Sequence, residues 1–518
     1  MASKVKIQPG FIIFLIVLGM VGAYFGITAL QKNGSWGKIT SAVAPTGNQG
    51  AGVKVKDIGG KKPLIAALNT WCGFAPGVWF NEGLAASASS RFTTEYGVPV
   101  QFVIMDNFDD SRNAWKAGKV DIICNTADVL PIEAPSMASF GMKVFMQLDW
   151  SDGGDKVIAR PGINSVSDLK GKTVAIAPGT PSQTLLLKAL EAGDLSYSDI
   201  IIKPMATAMD AAAAYKSKDV DVAVVWSPDD EDCLKAVPGS KVMISTDEAN
   251  QCIADVFYAK EEFIQSHQKE IKAFTSGWLK ATRELNKDRA TRMEAQKLMA
   301  TAFNVPEAVM NLDNAYFTTY GDNVNFFNIS PTGTGVTGEE LYSKMSRAFS
   351  KIGLVTGTVP AWRSITDISI LQAIAGDFTD PGDAAKGVTT FTAPVKAMET
   401  VQAIATKRLT INFASGASAL TEDAKYTIDK EFATIAKSMA GYRVRVEGNT
   451  DNVGSATSNK ALSLKRAQAV KTYLVQTYSF DPNRFIIVGN GPDSPVADNG
   501  TEEGKAQNRR TDFELLNN

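Results

Sequence analysis

An acidic loop residue and a basic helix residue carry the most specific chemical signal in the sequence. Asp451 lies in a loop of Gly, Ser and Asn residues, and Arg466 follows fifteen positions later in a predicted helix. Arg466 is one turn from both Leu462 and Val470, so it borders the apolar stripe of that helix. Such a pair can bind a zwitterion, with Asp451 taking an ammonium and Arg466 a carboxylate. The alternative is a structural ion pair that fixes the loop, which the spacing alone favours because such pairs are common.

The residues around this pair resemble the OmpA-like peptidoglycan-binding domain. The similarity extends over about 409–516, and several separated motifs agree. The motif residues are Gly448, Thr450, Asp451, Gly454, Asn459, Leu462, Ser463, Arg466, Ala467, Asn508, Arg509 and Arg510. Two positions depart from the family pattern, which usually has His in place of Asn449 and Arg in place of Lys505.

The resemblance implies that the two charges grip the diaminopimelate end of a peptidoglycan stem peptide. Asp451 and Arg466 would hold its opposite charges, and Asn459 and the 449–454 loop would add neutral hydrogen bonds. The peptidoglycan-binding residues predicted from the family motif are Asp451, Arg466, Asn459, Asn449, Thr450, Gly454, Leu462 and Arg509.

Length and composition limit the other functions open to the chain. A length of 518 residues suggests two or three domains. The net charge of −2, without a basic block, argues against nucleic acid as a partner. The single histidine, His267, excludes multi-histidine zinc sites. With no Ser/His/Asp set, phosphate-binding loop or metal spacing, we predict no enzyme, no catalytic residue, no metal and no cofactor.

An uncharged apolar run at 11–30 predicts a single membrane-spanning helix. Lys4 and Lys6 precede it, which favours a cytoplasmic N-terminus over residues 1–10. A cleaved signal peptide is the alternative, but its apolar region is normally shorter and no A-x-A site follows. The Gly- and Lys-rich segment 31–62 then reads as a flexible linker.

Strands and helices alternate from Pro63 onward, which predicts largely parallel sheets with ligands at the carboxyl ends of the strands. The run from Ser165 to Gly193 and the strand that ends at Trp226 resemble periplasmic substrate-binding proteins of ABC importers, in the branch for sulfonates, nitrate and thiamine precursors. The resemblance spans about 63–376 and implies two lobes that close on a small molecule. The predicted solute-binding residues are Thr180, Pro181, Ser182, Trp226, Trp71 and Asn125.

Four cysteines follow the predicted membrane span, where an oxidising compartment is expected. Cys233 and Cys252 flank a surface-like excursion and are predicted to form a disulfide. Cys72 and Cys124 both follow strands of the first lobe, so they are either bridged or free, and we favour the bridge.

The predicted fold class is α/β: an N-terminal transmembrane helix, a two-lobed type II periplasmic-binding-protein fold, and an α+β OmpA-like domain. The predicted ranges are lobe 1 at about 63–157 and 259–376, lobe 2 at about 158–258, a linker at 377–400, and the OmpA-like domain at 401–518.

These ranges predict a single-pass inner-membrane protein, largely periplasmic, that binds peptidoglycan and a small anionic or zwitterionic solute as a receptor or sensor. The alternative is a structural or motor-associated adaptor whose lobes contact a protein. A membrane transporter or a stator-like channel protein is a possible further partner.

Overall fold

The computed structural model describes residues 55–330, 335–387, 389–414 and 416–517. The predicted membrane span at 11–30 lies outside these ranges, as does most of the predicted linker at 31–62. Within the described ranges, no helix has the length and apolarity needed to cross a membrane.

The chain first builds part of one lobe from strands that alternate with helices. These elements are β1 (Leu64–Leu68), α1 (Ala75–Phe80), α2 (Arg91–Tyr96), β2 (Val100–Ile104), α3 (Phe108–Lys116), β3 (Ile122–Thr126), α4 (Leu130–Met137) and β4 (Met142–Ser151). Every residue of β1 and β3 is buried, as expected for strands whose two faces are both covered. β1 pairs in parallel with β2 and β3, which confirms the predicted βαβ pattern.

The second lobe is a smaller layer of sheet and helices. Its elements are β5 (Asp155–Ala159), β6 (Thr173–Ile176), α5 (Pro181–Ala192), β7 (Ile201–Pro204), α6 (Ala208–Lys216), β8 (Val222–Trp226), α7 (Asp229–Ala236) and β9 (Lys241–Ser245). The strand order is β7-β6-β8-β5-β9. Pro181 occupies the first turn of α5, where its missing N–H costs nothing.

The chain then returns to complete the first lobe. The returning elements are β10 (Ala254–Lys260), α8 (Glu261–Ser266), α9 (Gln268–Lys287), α10 (Arg289–Phe303), β11 (Ala315–Phe317), α11 (Tyr320–Phe326), α12 (Gly338–Lys351) and α13 (Ser369–Ala373). The sheet has the order β11-β4-β10-β3-β1-β2, with β10 antiparallel to both β3 and β4. The two crossings between the lobes, β4 to β5 and β9 to β10, therefore lie at the centre of the two-lobed fold.

The C-terminal domain is a separate four-stranded sheet with helices. Its elements are β12 (Ala405–Leu409), α14 (Glu422–Ile428), α15 (Thr434–Ser438), β13 (Arg443–Asn449), α16 (Ala456–Tyr478), β14 (Phe485–Gly491), α17 (Glu502–Asn508) and β15 (Thr511–Leu516). The order is β12-β15-β13-β14, so β13 is central, parallel to β14 and antiparallel to β15. One apolar cluster runs from this domain into the second lobe and buries Val166 and Leu190 together with Ile435 and Tyr442.

A buried arginine holds the end of α15 in the C-terminal domain. Arg484 is 2% exposed, and its guanidinium donates to the carbonyls of Tyr442, Ala436 and Met439 at 2.8, 2.9 and 2.7 Å. These carbonyls include orphan acceptors of a helix C-terminus, which a cation satisfies well. Burial lowers the pKa of Arg484 to about 9.

The predicted disulfides are wrong, because all four cysteines are free and buried. Cys233 packs with Ala223 and Val225 on one face of the second-lobe sheet, whereas Cys252 lies in the apolar cluster on the other face. The sheet itself therefore separates the two sulfurs. In the first lobe, Cys124 directs its thiol towards Asp255, at 3.5 Å, and burial raises the pKa of both Cys72 and Cys124.

Candidate functional site

A tight loop joins the central strand β13 to the long helix α16. Gly454 has a φ of +94°, a conformation that favours glycine, and turns the chain towards the helix. Ser455 then caps α16 by accepting a hydrogen bond from the Ser458 amide at 3.1 Å. The conformation of Gly454 and the cap at Ser455 therefore fix where the loop ends and where α16 begins.

Asp451 is nearly buried in this loop, with 12% of its side chain exposed. Its Oδ1 accepts from the Val453 amide at 3.1 Å, which forms an Asx turn. Its Oδ2 lies 2.7 Å from Nη1 of Arg509. The direct partner of Asp451 is thus Arg509, from the late Asn-Arg-Arg motif, and not Arg466.

Arg466 lies beside this pair but is held by other atoms. Its Nε donates to the carbonyl of Ala417 at 3.0 Å, and its guanidinium carbon lies 4.7 Å from the ring centre of Phe413. Partial burial lowers the pKa of Arg466, an effect that nearby Asp451 opposes and Arg509 reinforces. Among the described residues, neither terminal nitrogen of Arg466 has a hydrogen-bond or ion-pair partner. One negative and two positive groups therefore converge, with two guanidinium nitrogens left for a ligand.

The other predicted residues of this site mostly support the loop. The Asn459 amide donates to the carbonyl of Val453 at 3.0 Å, and Thr450 donates to the carbonyl of Asp451 at 2.8 Å. Asn449 is buried and donates to Asp512 at 3.2 Å. Leu462 is half-buried on α16. Asn449 therefore fixes the sheet end beneath the loop.

Sequence reasoning missed Phe413 and Ala417, which orient Arg466. β12 ends at Leu409, so Phe413 belongs to the loop that follows it. From that loop its ring can lie against the guanidinium. No local pattern in the sequence marks this contact, because Phe413 and Arg466 are 53 positions apart.

The predicted solute-binding residues of the second lobe lie at the start of α5. Thr180 is the N-cap residue, but its hydroxyl donates to the carbonyl of Ala177 at 2.8 Å. The Gly179 amide is already bonded to the Gln183 side chain at 2.8 Å. Ser182 is fully buried, and its hydroxyl has no partner in the described structure. This helix start is therefore only partly available to an anion.

The other predicted solute-binding residues lie near the crossings between the lobes. Trp226 ends β8 directly opposite Asp155 of β5. Asn125 is buried, and its side-chain oxygen accepts from the Thr126 amide at 2.7 Å. The ring of Trp71 covers Gly154, where an added Cβ would lie 2.4 Å from a ring carbon. Trp71 thus reaches from the first lobe onto the crossing, which requires glycine at that point.

Four buried aspartates surround the same crossings, and sequence reasoning missed them. Asp149 of β4 is directly opposite Asp255 of β10, and Asp155 accepts from Ser151 at 2.9 Å. Asp128, after β3, accepts from Thr184 of α5 at 2.6 Å and so joins the two lobes. The available signal was an acid within a strand rich in apolar residues, as at Asp149 and Asp255.

Burial controls the ionisation of these acids. Desolvation raises the pKa of Asp128 and of Asp155 to about 7 and that of Asp255 to about 6. It raises the pKa of Asp149 well above its ordinary value, with the neighbouring Asp255 adding to the shift. Within the described residues, no group of three His, Cys, Asp or Glu side chains could hold a metal ion. The cluster can therefore donate protons to a neutral partner or bind a cationic group.

Comparisons with known proteins divide the chain into a two-lobed part and a C-terminal domain, as the structure does. The OmpA family matches residues 412–509, and the NMT1/THI5-like family matches residues 94–289. The chain joins an NMT1/THI5-like substrate-binding domain to a C-terminal OmpA domain. The loop with Asp451 and the part of α16 with Arg466 lie inside the OmpA match, and all of α5 lies inside the substrate-binding match.

Individual relatives each resemble one of the two domains. Outer membrane protein Omp38 of Acinetobacter baumannii is 45% identical to the OmpA domain over 83 residues, which is 15% of this chain and 23% of Omp38. The chain thus covers about a quarter of that relative. A Brucella abortus protein described as a binding protein is 26% identical over 287 residues, covering 55% of this chain and 82% of its own length. The structure of the aliphatic sulphonate binding protein SsuA from Escherichia coli has a TM-score of 0.47 at 20% identity, over 59% of this chain and 97% of that one.

Proposed function

We propose that this protein is a peptidoglycan-attached solute-binding protein that acts as a receptor or sensor in the cell envelope. The observation that carries the proposal is the convergence of Asp451, Arg466 and Arg509 in the OmpA domain, in a chain that also contains a two-lobed fold with two separate sheets. In this proposal the apolar run at 11–30 anchors the chain in the inner membrane, and both folded parts lie in the periplasm. No catalytic step is assigned.

In the wall site, Arg466 takes the ligand carboxylate through its two available nitrogens. Arg-carboxylate pairs are often bidentate, which adds orientation to affinity. Asp451 takes the ammonium of diaminopimelate, and Arg509 holds the Asp451 carboxylate in place. The site offers an acid for an ammonium and a separate arginine for a carboxylate. This arrangement supports one ligand that carries both a positive and a negative charge.

In the cleft, we propose a solute that is zwitterionic and not purely anionic. Four buried aspartates and the partly occupied start of α5 support this choice. The ammonium end would approach the aspartates, and the anionic end would approach the amides near Ser182. Trp71 and Trp226 would cover the ligand from the two lobes.

One observation favours the adaptor as a second candidate function. Trp71 already packs onto Gly154, and Asp128 already bonds Thr184 across the lobes. A cleft that is closed by its own side chains needs no solute to hold its shape. In that case the lobes would present a fixed surface to a membrane transporter or a stator-like channel protein.

Two measurements on the full chain separate these functions. Sedimentation with purified diaminopimelate-type peptidoglycan tests wall attachment, and we expect the protein in the pellet. Thermal unfolding with a panel of amino sulfonates, amino acids, carboxylates and pyrimidines tests solute binding. A rise in melting temperature for a zwitterion supports the receptor, whereas no rise for any compound supports the adaptor. A protein that stays in the supernatant contradicts both.

A further inference from the structure

The OmpA domain rests on the second lobe through a continuous interface. The Val166 amide donates to the carbonyl of Ile404 at 2.8 Å, and the Gly441 amide donates to the carbonyl of Glu248 at 2.8 Å. At Gly441, an added Cβ would lie 2.6 Å from the Glu248 backbone. Together with the shared apolar cluster, these contacts make the OmpA domain and the second lobe one packed body.

The same domain also reaches the first lobe, on the other side of the cleft. Lys437 of α15 forms an ion pair with Glu340 of α12 at 2.9 Å. Thr434 of α15 accepts from Lys344 of α12 at 2.7 Å. Helix α12 belongs to the first lobe, because its Leu341 and Met345 are buried in that lobe's core. Helix α15 therefore lies across the line where the lobes meet.

Two residues at this line each contact all three parts of the molecule. Lys344 of the first lobe also pairs with Glu191 of the second lobe at 2.8 Å. Gln251 of the second lobe donates its amide to the Ser438 carbonyl of the OmpA domain at 3.3 Å, and its side chain accepts from Val336 of the first lobe at 2.9 Å. We refer to the contacts made by Lys437, Lys344 and Gln251 as the lobe-bridging contacts.

The lobe-bridging contacts that involve the first lobe require the lobes to be closed. Two-lobed binding proteins open by rotation about the crossing strands, which would carry α12 away from α5. Since the OmpA domain is packed on the second lobe, opening would also separate Lys437 from Glu340 and Lys344 from Thr434. Every lobe-bridging contact except the hydrogen bond from the Gln251 amide to the Ser438 carbonyl thus favours the closed state over the open state.

We propose that the OmpA domain acts as a latch that shifts the binding lobes towards their closed state through the lobe-bridging contacts. The latch would regulate the cleft between the lobes. Its biological role rests on the proposed solute-binding function. Because coupling between sites is reciprocal, a solute that closes the lobes also tightens the seating of the OmpA domain.

The wall site remains accessible while the latch is engaged. Gly441, at the interface, comes just before β13, whereas Asp451 comes just after its end. A strand of this length holds its two ends about 20 Å apart. Docking on the lobes and binding of the wall therefore use opposite ends of the same strand.

The test measures the distance between the lobes in the full chain, without any solute. Spin labels are placed at Met209→Cys on the second lobe and Met293→Cys on the first, both exposed positions, while the native cysteines are buried. The latch is weakened by Lys437→Met and by Lys344→Met. Part-buried ion pairs shift an equilibrium by a factor of about two to five each, so we expect the population with the longer distance to rise about threefold or more.

Lys407→Met is the matched control. Lys407 of the OmpA domain pairs with Asp194 of the second lobe at 2.8 Å. The side-chain exposures of this pair, 15% and 43%, match the 17% and 46% of Lys437 and Glu340. Lys407 contacts the second lobe and not the first, so we expect no change in interlobe distance. If Lys344→Met fails to fold, Lys437→Met and Glu340→Gln decide the question.

An unchanged distance distribution in folded Lys437→Met would overturn the latch, and so would an equal change in Lys407→Met. Neither result depends on solute binding. A shifted distribution together with an absence of any thermal response to solutes would uphold the latch and remove the receptor function.

Discussion

Arg509 neutralises Asp451 directly, with its Nη1 2.7 Å from the Asp451 Oδ2, while Arg466 stands next to the pair and donates only its Nε to the described part of the protein. The two arginines therefore have different roles. Arg509 keeps the acid oriented in the absence of ligand. Arg466 keeps its terminal nitrogens available, and it is the side chain whose loss should affect the ligand most and the fold least.

Arg466→Met should reduce peptidoglycan binding by about tenfold or more, because a charge-assisted hydrogen bond contributes roughly 1.5–3 kcal/mol. The melting temperature should change little, since the methionine chain can still pack on Phe413. Sedimentation with purified peptidoglycan, at several protein concentrations, measures the affinity. Lys465→Met is the control, because it removes an exposed charge from the neighbouring position of the same helix. Wild-type affinity in folded Arg466→Met would refute the assigned role.

Asp128→Asn should change how stability depends on pH. The pKa of Asp128 is raised in the folded protein to about 7, so its protonated form contributes stability at low pH that is lost as the pH rises from about 4 through 7. Asparagine still accepts from Thr184 but does not titrate. The melting temperature of the wild type, relative to Asp128→Asn, should therefore fall by several degrees between pH 5 and pH 8. A constant difference across that range, measured by calorimetry, would contradict the buried position of this acid.

Four thiols should be found in the protein when it is unfolded without reductant. Denaturing alkylation followed by mass spectrometry should add four groups, because no two sulfurs are bonded. The folded protein should resist the same reagent, since burial raises the pKa of each thiol, that of Cys233 to about 11. Addition of only two groups to the unfolded chain would show that a disulfide exists after all.

Arg484→Lys should lower the free energy of unfolding by about 2–4 kcal/mol, because lysine cannot serve all three carbonyls and leaves buried acceptors unsatisfied. Thermal and urea unfolding of the full chain measure the loss. Arg408→Lys, on the exposed side chain of β12, is the control and should be nearly neutral. Equal stability of the two variants would show that the three carbonyls find other donors.

The sequence predicted helices and strands well where local signals are strong. Pro181 after Thr180 predicts the start of α5, and the helix predicted around Arg466 is found as α16. The OmpA match also agrees with the predicted resemblance of the C-terminal part. The assignment of individual ligand contacts stays a prediction.

Prediction from the sequence failed where a structural feature depends on contacts across a sheet or between segments that are distant in the chain. Cys233 and Cys252 are close along the chain, but a buried sheet lies between them, which linear spacing does not reveal. The sequence suggested Arg466 as the ion-pair partner of Asp451, and only the three-dimensional positions select Arg509. The burial of Asp149 and Asp255 comes from the pairing of strands that are distant in sequence, so the local pattern did not reveal it.

The central position of β13 has a mechanical consequence. If the cell wall pulls on the loop at Asp451 while the lobes hold the chain at Gly441, the load runs along β13. Hydrogen bonds to β14 on one side and β15 on the other lie across that direction, so they share the load in shear and do not open one at a time. The strand that joins the wall site to the binding lobes is therefore placed to transmit tension without unfolding.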